Sequence, residues 1–187
     1  LSLPDTVCIG DVFSLTDNST SPMTSIVQRD WDWESDGFID LSGNDPNPSH
    51  SFSVPGDYTV SLTCTDAFGC PQTITEQIVV REVVASFNAD RTFICDDEEV
   101  TITANNSTSF GPLTYNWTAV SNVTPNTSSA LLPGSFLFND EGNHSITLTV
   151  TDNLGCTDNT TTDIEVFDVI ADGSGNPNVA SCFNPST

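Results

Sequence analysis

Apolar and polar residues alternate along much of this chain with a period of two, the mark of strands that bury one face. The pattern is cleanest in Gly56-Asp-Tyr-Thr-Val-Ser-Leu-Thr-Cys-Thr-Asp-Ala-Phe-Gly-Cys70, where Tyr58, Val60, Leu62 and Cys64 alternate with Thr and Ser. It returns 86 residues later in Gly142-Asn-His-Ser-Ile-Thr-Leu-Thr-Val-Thr-Asp-Asn-Leu-Gly-Cys156, with His144, Ile146, Leu148 and Val150 in the same places. Both copies stop at Thr-Asp and a Gly turn. A repeat at a fixed offset means one unit used twice, so the chain divides into residues 1–81 and 82–168.

The remaining elements follow the same period. Asp11 to Thr16 alternates and ends in the turn cluster Asp17 to Pro22. Ile26, Val27 and Trp31-Asp-Trp33 read as the next strand, with Trp31 and Trp33 on its inward face and Asp30 and Asp32 on the other. A loop rich in Gly, Asn, Pro and Ser (36–49) leads to Phe52, the Pro55-Gly56 turn, the repeated strand and a closing strand from Ile74 to Val80. The second copy offers Val100 to Ala104, Tyr115 to Trp117, Phe136 to Phe138 and a closing strand from Thr162 to Phe167. Between the copies, Val79 to Phe87 contains neither Gly nor Pro, which predicts a stiff joint. Val169-Ile-Ala171 precedes Cys182 as Val83-Val-Ala85 precedes Cys95, so residues 169–187 read as the start of a third repeat. They also offer a strand for exchange into the first domain of a neighbouring copy, where the lead-in to Cys8 is short. Helix formers are scarce and turn and strand formers abundant, which makes the chain all-β: two tandem immunoglobulin-like β-sandwiches plus the opening strand of a third.

Charge narrows the function. Twenty-six acidic residues face three arginines and no lysine among 187 residues, a net charge of −23. Phosphate and anionic lipid need clustered cations, so no nucleic-acid partner and no membrane-surface partner is expected. No apolar run approaches the length of a membrane span, so direct membrane insertion is not expected, and Leu1 opens without a signal sequence, as in a segment of something longer.

Cys8 and Cys70 are 62 residues apart and Cys95 and Cys156 are 61 apart, in matching places of the two copies. They are expected to form two disulfides, Cys8–Cys70 and Cys95–Cys156, in an oxidising compartment. Closing loops of this length would contribute about 4 kcal/mol each through the unfolded chain. Cys64 takes the place of Val150 and reads as a small buried hydrophobe; Cys182 is expected to be unpaired. Zinc is the competing use, but Cys-x5-Cys with only His50 and His144 is poor ligand spacing.

Asp30, Asp32, Glu34, Asp36 and Asp40 place oxygen donors at alternating positions around Gly37, an array suited to calcium. It is not an EF-hand loop, because the twelfth position from Asp32 is Gly43 and not Glu. No second carboxylate cluster faces it as a glycosidase would need, and Gly-x-Ser-x-Gly, His-Glu-x-x-His and phosphate-cradling motifs are absent from the sequence, so no enzyme activity is expected. Asn18, Asn105, Asn106, Asn116, Asn122, Asn126, Asn143 and Asn159 begin Asn-x-Ser/Thr acceptor sequences.

The segment Trp31-Asp-Trp-Glu-Ser-Asp-Gly37, followed by Pro55-Gly56-Asp-Tyr-Thr-Val-Ser-Leu62, resembles the signature of the polycystic kidney disease (PKD) domain, Trp-Asp-x-x-x-Asp-Gly and then Pro-Gly-x-Tyr-x-Val-x-Leu. The second copy keeps Trp117 but replaces the Asp-Gly loop by Ala119-Val-Ser-Asn122. With Cys near the start and Gly-Cys near the end, the unit resembles the variety abundant in large secreted surface proteins of the Bacteroidetes. That resemblance implies an immunoglobulin-like fold in which the Asp-Gly loop is structural. It places the calcium site of some relatives at an earlier turn, where this chain has Asp17-Asn-Ser-Thr20. It also implies O-glycosylation of Thr6 within Asp5-Thr6-Val7. The implied function is a non-enzymatic extracellular structural or adhesive module, a spacer or subunit of a cell-surface adhesin or filament. Its partners would be neighbouring repeats or other copies, and glycans or another cell surface. The alternative is a polysaccharide-binding accessory module of a secreted hydrolase, which would need exposed aromatics where Trp31, Trp33 and Trp117 read as inward.

Overall fold

Two long strands joined by a tight turn build the centre of each half of the chain. In the computed structural model, which describes residues 1–104, 107–109, 111–120 and 122–168, the chain divides into two compact units, Leu1–Glu82 and Val83–Thr187. No helix occurs among the described residues.

In the first unit the strands are β1 (Thr6–Cys8), β2 (Phe13–Ser14), β3 (Ile26–Asp32), β4 (Leu41–Gly43), β5 (Ser49–His50), β6 (Gly56–Asp66) and β7 (Pro71–Arg81). One sheet runs β1-β7-β6-β3-β4, and β2 pairs with β5 in a second. The alternation in the sequence explains β6, where Val60, Leu62 and Cys64 are buried and the residues between them are not. The turn after β6 explains its Thr-Asp-x-x-Gly-Cys motif: Asp66 Oδ1 accepts the N–H groups of Phe68 and Cys70, and Gly69 takes the left-handed φ of +82° that costs a side chain strain. Leu15, Trp31, Phe52, Val60, Leu62 and Ile78 meet in the core between the sheets. Trp31 and Trp33 are both buried and stacked, with centroids 5.7 Å apart. Asp32, expected on the outward face, is buried as well, because it ends β3 and turns its carboxylate back onto the following loop.

The second unit contains β8 (Phe87–Ala89), β9 (Phe93–Cys95), β10 (Glu99–Ala104), β11 (Leu113–Ala119), β12 (Val123–Thr124), β13 (Thr127–Ser128), β14 (Ser135–Phe138), β15 (Gly142–Asp152) and β16 (Thr157–Phe167). Its sheets run β13-β11-β15-β16-β9 and β12-β14-β10-β8. The five-stranded sheet repeats that of the first unit strand for strand, including the parallel pairing of the opening strand with the end of the closing one, Cys8 beside Arg81 and Cys95 beside Phe167. The antiparallel pairing of β8 with β10 is reduced in the first unit to a single bridge, Ser2 with Thr16. The turn is rebuilt with the same parts, Asp152 Oδ1 accepting from Leu154 and Cys156 and Gly155 at φ +93°. Trp117 is fully buried and its Nε1 donates to Ala130 O at 2.8 Å, whereas Trp31 Nε1 has no partner.

Candidate functional site

The acidic loop after β3 holds the densest chemistry of the first unit. It forms because the carboxylates act as local backbone acceptors. Asp32 Oδ1 and Oδ2 accept from the N–H of Asp36 and Gly37 at 3.2 and 2.9 Å. Asp40 Oδ2 accepts from Trp33 N–H at 2.8 Å, and Asp36 Oδ1 from Phe38 N–H at 2.9 Å. Ser35 and Gly37, at φ +55° and +93°, let the chain reverse between them.

Of the five carboxylates proposed as calcium ligands, the structure brings together Asp32, Glu34 and Asp40, with one oxygen of each within 4.8 Å of the others. Asp30 is turned elsewhere, accepting from Gln28 Nε2 and Ser42 Oγ, and Asp36 caps the backbone. Three clustered oxygens at this spacing fit a hard cation, which would complete its six to eight ligands with water or carbonyls. Crowding is already felt at Glu34: burial first, then the charges of Asp40, Asp36 and Asp32, raise its carboxyl above the ordinary value. Beside the loop, an open groove of about 350 Å³ runs over the outer sheet face, lined by Asp30, Asp32, Ile39 and the hydroxyls of Ser61, Thr63, Thr73 and Thr75 among others, with no aromatic side chain.

A second constellation follows from the strand period. If Trp31 and Trp33 face inward, so does Arg29, and a buried guanidinium needs an anion. The structure supplies Asp17: Arg29 Nε donates to Asp17 Oδ2 at 2.7 Å, with side-chain exposures of 11% and 0%. Arg29 Nη1 also donates to Asn44 Oδ1. Burial pushes the Asp17 carboxyl up, but hydrogen bonds from Ser19 and the Arg29 guanidinium outweigh it and hold the carboxyl below its ordinary value. The turn that begins at Asp17 is therefore committed to an ion pair. Cys64 is buried as expected and its Sγ donates to the same Asp17 Oδ2 at 3.6 Å. Burial raises its thiol above the ordinary value, against a lowering hydrogen bond from Ser19, with Asp17 adding to the rise.

The cysteines depart from the expected pairing. Cys8, Cys95 and Cys156 are disulfide-bonded, while Cys64 and Cys70 are free. Cys8–Cys70 is not formed, and the register shows why. Cys70 precedes the first residue of β7 and Cys8 lies beside the last, so an eleven-residue strand of roughly 35 Å separates two residues that a disulfide requires within about 7 Å. The same geometry rules out Cys95–Cys156, which sit at opposite ends of the eleven-residue β16. Matching positions in the sequence were correct as matches; the parallel pairing of the opening strand with the far end of the closing strand puts them at opposite poles. Cys182 and the third-repeat or exchanged strand of residues 169–187 lie outside the described residues.

Among the acceptor sequences, Asn18, Asn116, Asn122, Asn126, Asn143 and Asn159 are exposed. Asn122 Nδ2 is bonded to Asp140 Oδ2. Asn105 and Asn106 lie outside the described residues. Thr6 is half-buried in β1 beside Val79. The second unit, with Thr118 and Ala119 after Trp117, has no counterpart of the carboxylate cluster among its described residues.

No curated protein matches the chain. Among solved structures, it is similar to the fibronectin(III)-like modules of Clostridium thermocellum CbhA, at 15% identity and a TM-score of 0.40, covering 88% of this chain and 90% of that one. It is similar to carbohydrate-binding modules of the β-sandwich superfamily, at 21% identity and a TM-score of 0.40, covering 78% of this chain and 54% of that one. A third similarity is to three N-terminal domains of the outer capsid protein Hoc of bacteriophage RB49, at 13% identity and a TM-score of 0.42, covering 88% of this chain and 58% of that one. The family comparison reaches the first unit, whose residues 2–81 match the model of the PKD domain.

Proposed function

We propose that this chain is a non-enzymatic extracellular module of tandem PKD-type domains, of the cysteine-containing Bacteroidetes kind, serving as a spacer or subunit in a cell-surface adhesin or filament. The observation that carries the reading is repetition: the five-stranded sheet of the residues that match the PKD domain is built again, in the same order and with the same turn, in the second unit. A plan used twice in series gives length and spacing, and disulfide-bonded cysteines fit an oxidising exterior. The polar chemistry supports the same role, since Asp32, Asp36 and Asp40 are engaged in holding their loop. Exposed Asn acceptors would carry glycans as decoration.

The rival role, binding polysaccharide beside a hydrolase, is less well supported. Trp31, Trp33 and Trp117 are buried, and the groove on the first unit has no aromatic face for a sugar ring to stack on. Two measurements on the whole chain test the proposal. A glycan array should retain nothing at micromolar protein. Single-molecule pulling after reduction should show two separate unfolding events, each releasing roughly 80 residues at about 3.5 Å per residue. Micromolar affinity for a polysaccharide, or hydrolysis of one, would overturn the spacer reading.

A further inference from the structure

The outer face of the five-stranded sheet in the second unit is out of keeping with the charge of the chain. Along β15 the buried Ile146, Leu148 and Val150 alternate with residues that point to this face. The register of β11, β15 and β16 lines the outward residues up in rows across the sheet. One row is Asn116, Thr149 and Asn159, the next is Thr118, Thr147 and Thr161, and a third of three threonines lies on the other side of the first. Those of β11 and β16 are exposed, and those of the central strand β15 are half-buried between them. Every side chain in the three rows is uncharged, in a chain of net charge −23. Charge begins one row further on, with Asp163 opposite Ser145.

The first unit shows that this sheet tolerates charge at the same places. There Asp30 faces Thr63 and Asp32 faces Ser61; at the repeat offset of 86 residues, Asn116 faces Thr149 and Thr118 faces Thr147. Both units keep the cross-strand hydroxyl pair, Thr63 with Thr73 at 2.7 Å and Thr147 with Thr161 at 2.8 Å. The fold and the hydroxyls are thus common to the two faces, and the carboxylates are confined to one.

We propose that this face of the second unit is a contact surface for the same face of a second copy of the chain. Two properties of the surface select that occupant. A hydroxyl and a carboxamide each donate and accept, so a face made of them is complementary to itself, as a two-fold contact between identical patches requires. Two chains of charge −23 can also meet here without setting carboxylate against carboxylate, a juxtaposition that works against association. A cationic partner, which the acidic surface elsewhere would attract, finds no anion in these rows. Three strands about 4.8 Å apart and three rows about 6.8 Å apart make a small patch, so the contact belongs to the weak, reversible class that buries less than about 1,200 Å². Asn116 and Asn159 head acceptor sequences within the face, and a glycan on either would close it. The inference goes beyond the spacer reading by giving neighbouring chains a lateral contact.

The test is sedimentation equilibrium of the whole, unglycosylated chain up to millimolar concentration. A reversible dimer is expected, several-fold tighter at about 0.15 M salt than at about 0.01 M, because screening relieves the repulsion between the charges outside the contact. Thr149→Asp and Thr149→Lys should each weaken it by about tenfold or more, since either charge at the centre of the patch meets its own copy across the contact. The lysine variant decides, because it lowers the net charge and would strengthen an association governed by overall charge. Asn116→Asp with Thr118→Asp, the residues that the first unit carries at these places, should weaken the dimer likewise while keeping the wild-type β-sheet circular dichroism. Thr63→Lys, the matching change on the first unit, should leave the dimer at least as tight as in the wild type. A chain that stays monomeric at both salt concentrations, a dimer indifferent to Thr149→Lys, or one weakened equally by Thr63→Lys would overturn the contact surface. Those outcomes would leave the glycan-array and pulling results, and with them the spacer reading, standing.

Discussion

Replacing Arg29 by Met should destabilise the first unit by about 3–5 kcal/mol, the usual effect of leaving one partner of a buried ion pair alone. The magnitude follows from the site. Asp17 has no exposed side-chain surface, and without the guanidinium its carboxylate keeps only uncharged donors, Ser19 through its N–H and side chain and the weak Cys64 thiol. A unit of 82 residues has about 4–12 kcal/mol of total stability, so the loss is a large fraction of it and lowers Tm by more than about 10 °C. Asp17→Leu combined with Arg29→Met should recover most of the loss, because a pair of apolar side chains leaves no stranded charge. The pH dependence separates charge from packing. In the wild type the folded value of Asp17 is lowered, so its contribution is complete above the ordinary carboxyl value of about 4 and is lost as pH falls through the folded value. In Arg29→Met, burial without a cation raises that value, and the variant should gain stability as pH falls from 7 toward 5. Hydrogen exchange of peptides from β3 and β6 in the full chain reads the first unit, with β15 peptides as internal reference. A loss under about 1 kcal/mol, or a double variant as weak as the single, would refute the reasoning.

Other outcomes are expected. Millimolar calcium should slow exchange in residues 33–40 and not in residues 142–167, and Glu34→Gln should remove the response; equal slowing in both would mean a general charge effect. The first unit should lose stability as pH falls below about 6.5, because burial lowers the folded value of His50 and only the unfolded imidazole then protonates. His50→Phe, which keeps an aromatic ring against Trp33 at the 4.4 Å stacking position, should flatten that region of the pH–stability curve. Asp152→Ala strips the acceptor from two turn N–H groups and should cost about 1–3 kcal/mol, seen as faster exchange in the adjoining ends of β15 and β16.

Strand pattern, repeat and core were readable because each depends on neighbours in sequence. The period of two placed Val60, Leu62, Trp31 and Trp33 inward, and the Thr-Asp-x-x-Gly-Cys turn was marked by its own residues. What escaped depends on which strand lies beside which. Cys8 and Cys70 match Cys95 and Cys156 in position, yet only the parallel pairing of Thr6 with Val79 shows that each pair stands at opposite ends of a strand. Of the acidic run read as oxygen donors, Asp32, Glu34 and Asp40 come together, whereas whether Asp30 turns toward the loop or toward Ser42 is decided by the register of β3 against β4. Asp17 with Arg29 was within reach, because the face that carries the tryptophans also carries the arginine.

The parallel pairing of the opening strand with the last residues of the closing strand also sets how a unit bears load. Tension applied to the two ends of a unit runs along β1 and β7 in opposite senses and loads the hydrogen bonds between Thr6–Cys8 and Val79–Arg81 in shear, all together, where a hairpin pulled at its open end would break its bonds in succession. The second unit presents the same short clamp between Phe93–Cys95 and Glu165–Phe167. Resistance to force is thereby concentrated in three residue pairs per unit and is separable from thermodynamic stability, which resides in the aromatic core. A proline at Val7 would weaken the clamp while leaving Trp31, Leu62 and Ile78 packed as before.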